Sequence, residues 1–407
     1  MGRLCVYCKG MHPDVSCPLY LKAQLIMRSQ EFRQLKDFVG SSPAPFVGHY
    51  GYPDVNVGIL APPGISEDAW QYDAPQMWAA SNYGVADVVQ LRSGLINSRF
   101  NTNIKDVTRY VEIAQEVAMA SRPVDVDITL KDAPALRMNI DAHAAPTGPA
   151  AALQNVEVTS NPQVPTRIQR AFDANDLLAT EALTDLYSHG VDENSLSRML
   201  SVGTFGLEGN RKLVPTRWSI TATDDLLGKH LLEPIRQYDV ADCSAYFGGY
   251  LGNYYLILFL PDPWSYELFE MSVRSGQQGN WEGKGNWSTD YEPVQGRKDY
   301  AADTVGGYYT VRLAIAEKLK EMKRQASVLA LRFITDEYTL PLGVWVTREA
   351  ARNALKNKPI VFGDANLMLT YARNLAKNKF GYDLERLLPS SRLLRERTQQ
   401  RKLTQFA

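Results

Sequence analysis

The chain has 407 residues, of which 45% are hydrophobic and 22% charged, and its formal net charge is −1. Such a length buries one large core or two ordinary ones, and the composition excludes a disordered chain. The near-zero charge excludes a protein that coats nucleic acid through its overall field, so any contact with DNA is expected to be weak, salt-sensitive and local. No apolar run approaches a membrane span, the densest being Tyr254 to Leu260. The opening MGRLCVYCKG lacks the apolar stretch of a signal peptide, and Val6 fails the Ser/Thr requirement for myristoylation, so a cytoplasmic location without membrane contact is expected.

Three of the four cysteines fall in the first 17 residues. Cys5, Cys8, His12 and Cys17 form C-x2-C-x3-H-x4-C, one residue shorter than a zinc knuckle between the second and third ligands, with Gly10 and Pro13 supplying the turn. The spacing predicts one zinc ion, with Asp14 as an alternative to His12 for the remaining ligand. A site filled by four protein ligands leaves no position for an activated water, so the zinc is expected to be structural.

Leu21, Leu25, Phe32, Leu35 and Phe38 fall near helical spacing and predict a helix ending at Gly40. Pro75 to Leu91 and Asp106 to Ser121 also read as helices. Val124 to Leu130 alternates apolar with polar residues, as does Leu136 to Ile140, predicting a hairpin whose Asp125, Asp127 and Asp141 share one face in water, with one divalent cation held by the three as the functional alternative. The Pro/Gly/Ala-rich stretch from His143 to Pro165 reads as an internal boundary. Helices follow at Asn175 to Tyr187 and Asn194 to Leu200.

Val202 to Asp225, VGTFGLEGNRKLVPTRWSITATDD, then sets Gly203, Gly206 and Gly209 ahead of Arg211, Lys212 and Arg217, with Asp224 and Asp225 closing the stretch. Glycines let backbone amides approach an anion, and the basic side chains supply charge, so these eight residues form a candidate phosphate or nucleotide site. The pattern is neither a Walker loop nor a dinucleotide fingerprint, and on pattern alone loop punctuation is the favoured explanation. Trp218 and Ile220 read as strand, with Thr223 or Asp224 capping a short helix from Leu226 to Leu232.

Ser244 to Phe247, Tyr254 to Leu260 and Ser265 to Arg274 predict an antiparallel section, in which Cys243 is a small buried hydrophobe. Ser275 to Pro293 reads as a long loop anchored by Trp281, Trp287 and Tyr291, with base stacking by these rings as the functional alternative. Helices are expected at Gly306 to Lys323, Arg348 to Leu355 and Asn366 to Lys377, and strands at Val328 to Ile334, Val344 to Val346 and Ile360 to Phe362. No HExxH pair and no GxSxG elbow appears. From Arg386 to the end, six basic side chains stand against Glu396 alone, and the last residues place Gln400, Leu403 and Phe406 at spacing three. One 3₁₀ turn would put Leu403 and Phe406 on one side to enter a hydrophobic pocket while Gln400 hydrogen-bonds.

The run RKLVPTRWSITATDD, the amino-terminal cysteine cluster and the final motif together resemble the archaeal Nre family of DNA-repair proteins, over essentially the whole chain. The resemblance implies a role in DNA repair and docking to the sliding clamp PCNA; it leaves the chemistry of the body open. The final motif looks like the PCNA-interacting peptide, with Ala407 where the pattern has a second aromatic residue. The expected fold is α+β: a mixed helix and sheet body with a small N-terminal zinc module and a flexible C-terminal tail. Its expected divisions are 1–20 for the zinc module, 21–150 for an N-terminal lobe, 151–385 for a C-terminal lobe carrying the central motif, and 386–407 for the basic tail. Two functions compete: a repair protein recruited by the clamp, and an enzyme that processes a nucleotide or nucleic acid at the central motif.

Overall fold

A computed structural model describes residues 35–134, 143–273, 287–304 and 306–399. The fold is mixed α+β, and the chain divides into two compact units, Met1–Leu227 with Thr339–Trp345, and Gly228–Tyr338 with Val346–Ala407. Among the described residues no helix is long and apolar enough to cross a membrane.

The first unit is built on a six-stranded sheet of β1 (Asp37–Ser42), β2 (Ala44–Val47), β3 (Asp54–Ala61), β4 (Ile96–Asn103), β5 (Val124–Leu130) and β6 (Ala150–Val158), in the order β1-β5-β6-β4-β3-β2. Its two edge strands are consecutive halves of one stretch, so the sheet curls back on itself. Gly40 on β1 bridges Gly64, and a Cβ on Gly40 would overlap the Pro62 carbonyl oxygen, so only glycine permits the closure. Val55, Val57 and Ile59 of β3 are fully buried, each contributing about 1.5–3 kcal/mol of apolar burial. Helices α1 (Pro75–Ala80) and α2 (Val85–Ser93) follow β3, α3 (Arg109–Met119) follows β4, and α4 (Thr166–Asp173), α5 (Ala179–Ser188) and α6 (Glu193–Ser201) follow β6. Capping marks their starts: the Thr108 hydroxyl accepts from the Val111 amide, and the Asp192 carboxylate accepts from the amides of Asn194 and Ser195. Helix α7 (Thr216–Ile235) comes next.

The second unit holds the other sheet, of β7 (Ser244–Tyr250), β8 (Asn253–Leu260), β9 (Ser265–Ser272), β10 (Trp287–Glu292), β11 (Ser327–Ile334) and β12 (Ile360–Val361), in the order β10-β9-β11-β8-β7-β12. All pairs are antiparallel except β9 with β11. One face is apolar: Leu256, Leu258, Leu329, Leu331 and Phe333 cluster with Met368, Ala372 and Ala376 of α10 (Ala365–Phe380), and with Leu393 of α11 (Arg392–Gln399). The other face carries charge beneath α8 (Gly307–Met322). There Glu292 receives the hydroxyl of Tyr308 and the indole N–H of Trp264, and lies 3.1 Å from Arg312 Nε. Asp290 meets Arg297 at 2.7 Å and Glu270 meets Arg332 at 2.6 Å. Helix α9 (Trp345–Lys356) lies between β11 and β12 in the chain.

Several elements depart from expectation. Phe38 and Gly40 belong to strand β1 and not to the end of a helix, because pairing with β5 overrides their helical spacing. Both edges of β5 are taken by β1 and β6, leaving none for the hairpin expected with residues 136–140, which lie outside the described residues. Asp125 accepts from the Ser41 hydroxyl at 2.6 Å. The helix expected from Pro75 to Leu91 is two, broken where Asn82 turns left-handed. The stretch read as a boundary contains β6, whose alanines pair with β4. Trp287 and Tyr291, expected in a long loop and considered for base stacking, sit in β10 against the apolar cluster, and the Tyr291 hydroxyl donates to Glu396; Trp281 lies outside the described residues. Trp345 and Val346 begin helix α9 instead of a strand. Cys243 is a free, buried thiol whose pKa burial pushes up.

The carboxyl-terminal segment also differs from a flexible tail beginning at Arg386. Leu388 and Leu393 are buried, and Glu267 caps α11 by accepting from the Ser391 hydroxyl and from the Arg392 and Leu393 amides. Arg397 of the same helix pairs with Asp262. Gln400, Leu403 and Phe406 lie outside the described residues, as do Cys5, Cys8, His12 and Cys17.

Candidate functional site

The central motif is legible residue by residue. Val202 and Gly203 form the turn after α6, where Gly203 has φ +72° and its amide donates to Leu200. A Cβ there would lie 2.7 Å from the Lys212 carbonyl oxygen, so the glycine serves close backbone approach. Gly206 also has positive φ, and its carbonyl accepts from Arg211 Nε at 2.8 Å. Arg211 further donates to the Ala174 carbonyl and lies over the Phe172 ring, so its guanidinium is committed to the chain's own loop. Gly209 is exposed in a short 3₁₀ turn, Glu208–Asn210, with open space around its Cα. Lys212 is exposed, and Leu213 beside it donates to the Ile104 carbonyl at 2.8 Å.

Beyond Pro215 the chain is helix α7 and not the expected strand and cap. The β-branched run Thr216, Ile220, Thr221 and Thr223 carries strand preference, but the amides of Trp218 and Ser219 turn back to the Pro215 carbonyl. The hydroxyls of Ser219 and Thr221 bond to carbonyls one turn earlier, which satisfies them inside the helix. Asp224 is therefore a buried mid-helix residue, not an N-cap. Spacings of four and seven place Arg217, Thr221 and Asp224 on one face, with Asp225 beside them.

The start of α7 is fastened to the β2–β3 loop. The Val47 amide donates to Thr216 Oγ1 at 2.8 Å. Arg217 reaches His49 Nε2 at 3.2 Å with one terminal nitrogen and His143 Nδ1 at 2.9 Å with the other. A guanidinium has no lone pair to offer, so both ring nitrogens accept. Arg217 thereby pins the loop. Tyr50 packs on His49 with ring centroids 4.0 Å apart, and Tyr52 meets Trp218 edge-on at 5.2 Å.

A separate cleft of about 300 Å³ is lined by Pro43, Trp70, Asp73, Arg122 and Arg198. Asp73 holds Arg92 at 2.8 Å and Arg198 at 3.2 Å. Burial pulls the Arg92 pKa below its ordinary value, with Asp73 opposing the shift. None of the motif's glycines or basic residues reaches this cleft. Its parts are scattered through 155 residues of sequence, from Pro43 to Arg198, with no motif to mark them. Among the described residues, no group of three or more His, Cys, Asp or Glu side chains is arranged to hold a metal ion.

Comparison with known families matches residues 13–277 to the model described as Archaeal Nre, N-terminal, and residues 292–406 to Archaeal Nre, C-terminal. Two matched segments covering nearly the whole chain define a two-part archaeal protein of Nre type. The chain belongs to the archaeal Nre family. It is 35% identical over 337 residues to DNA repair protein NreA of Haloferax volcanii, covering 80% of each chain. It is 32% identical to DNA repair protein NreA of Archaeoglobus fulgidus, over 92% of this chain and 94% of that one, and 33% identical to DNA repair protein NreB of the same organism, over 99% of each. No solved structure matches.

Proposed function

We propose that this protein works in DNA repair and is brought to DNA by the sliding clamp PCNA. The observation that carries the reading is its similarity, over 80–99% of its length, to proteins named for DNA repair. The clamp assignment draws on Gln400, Leu403 and Phe406, which follow directly after helix α11 in the sequence. The competing reading, an enzyme holding phosphate in the central motif, finds less support, since Arg211 and the Gly203 amide already serve the chain's own carbonyls.

Titration of the full chain with a cognate clamp tests the reading. Leu403→Ala/Phe406→Ala, and a chain ending at Gln399, are each expected to weaken binding at least tenfold, about 1.4 kcal/mol. Equal affinity for all three proteins removes the tail from the mechanism.

The proposal includes a structural zinc ion on Cys5, Cys8, His12 and Cys17. Three thiolates and an imidazole close a tetrahedral shell, so the metal would hold a fold and activate nothing. Metal analysis is expected to find one zinc per chain, lost in Cys8→Ser; His12→Ala and Asp14→Ala compared side by side decide the fourth ligand. Protein purified without chelators that contains no zinc would end this assignment.

A further inference from the structure

We infer that the surface formed by the β2–β3 loop and the start of α7 binds an unpaired DNA strand, by stacking its bases on Tyr52, Trp218 and Tyr50. The inference rests on the DNA-repair reading and names the form of DNA engaged. Neither composition nor motif spacing joins these residues, which are brought together by the fold.

Three large aromatic rings are left in solvent on this surface. Tyr50 is 77% exposed, and Tyr52 and Trp218 are each 45% exposed although they touch one another edge to face. An edge-to-face pair leaves at least one broad ring face open, and every base has a π face to lay on it. The rings are also held in place. His49, next to Tyr50, is tied to Arg217 at the start of α7, and the Asp54 amide closes the loop's turn by donating to Gly51. Prior ordering lowers the entropic cost of binding.

Charge for the phosphates lies beside the rings. The Ile104 amide donates to the Pro53 carbonyl, and the Leu213 amide donates to the Ile104 carbonyl, so three chain segments run side by side from the aromatic loop. The neighbours of these rungs are Lys105 and Lys212, both exposed and neither in an ion pair among the described residues. Adjacent rungs are about 5 Å apart, so Lys105 stands next to the first rung and Lys212 next to the second, counted from Pro53, which follows Tyr52. Two exposed carboxylates share these segments, Asp54 accepting from the Asn103 side chain and Asp106 from the Asn103 amide, and neutral donors do not cancel their charge, so stacking rather than charge carries the affinity. Open ring faces suit a single strand better than a duplex, whose bases are stacked inside and offer no face.

Fluorescence anisotropy with a short labelled oligothymidylate tests the inference on the full chain. Tyr52→Ala/Trp218→Ala is expected to weaken binding about tenfold or more, whereas Tyr52→Phe/Trp218→Phe retains most of the affinity. Lys105→Ala/Lys212→Ala should reduce the slope of log affinity against log salt by about 1.4, at roughly 0.7 per phosphate. Melting curves confirm that each variant is folded. Binding unchanged in the ring variants, or a duplex that competes as well as the single strand, overturns the inference while leaving clamp docking and repair intact. A wild-type chain that binds neither strand nor duplex overturns it too, and confines any repair role to protein contacts.

Discussion

Replacing Arg332 with methionine is expected to lower the unfolding free energy by about 3–5 kcal/mol, read from urea unfolding followed by far-ultraviolet circular dichroism. Arg332 and Glu270 pair at 2.6 Å with both residues buried, and the guanidinium also donates to the Asn253 side-chain oxygen. Burial alone would pull the Arg332 pKa down; its surroundings, Tyr255 and Glu270 foremost, outweigh that and hold it above its ordinary value. With the arginine gone, Glu270 is left buried without its ion partner, and most of the loss is that uncompensated carboxylate. The double variant Glu270→Leu/Arg332→Met removes both ends and is expected to recover most of the stability. Losses that simply add would mean that the two side chains are not coupled, against the geometry.

The second large effect separates the glycines of the central motif. Gly203→Ala is expected to cost about 2–5 kcal/mol, combining left-handed backbone strain with the overlap of its Cβ on the Lys212 carbonyl. Gly209→Ala, with open space around it, should stay within about 0.5 kcal/mol. Both are measured by thermal and urea unfolding in the absence of any ligand. A neutral Gly203→Ala would show that the turn does not need glycine and would return the residue to a ligand-binding explanation.

What the sequence made legible depends on how local the cause was. The runs YYLILFL and SVLALRFI declare β8 and β11 because strands covered on both faces are largely apolar, Arg332 being the exception in β11. Helices α3, α6 and α10 were legible from helical spacing, and the structure adds the caps at Thr108, Asp192 and Asp364 that fix where they start. In contrast β2, β3, β4 and β6 were not read, since their Gly, Asn, Pro and Ala content lacks strand preference and only the curled sheet makes them strands. The motif around Gly203 stood out as a pattern, yet its glycines and Arg211 turned out to shape a loop. The ring surface went unseen because Trp218 lies more than 160 residues from Tyr50 and Tyr52 in sequence and no periodicity links them. The Asp73 cleft was missed for the same reason.

The second sheet has a consequence for inheritance. Strands β7, β8 and β9 fall within the stretch matched to the first Nre segment, β11 and β12 within the second, and β10 at the junction. Strand β9 is flanked by β10 on one side and by β11 in parallel register, from Ser265 beside Ser327 to Ser272 beside Ile334, on the other. A crossover between two related genes at this junction would hand a descendant β9 from one parent and one or both of its neighbours from the other. The mismatch would fall on the Glu270–Arg332 pair as well as on the apolar face. Lineages that exchange genes freely should therefore pass these two segments on together, and the boundary between them is a seam in the sequence that the folded protein does not have.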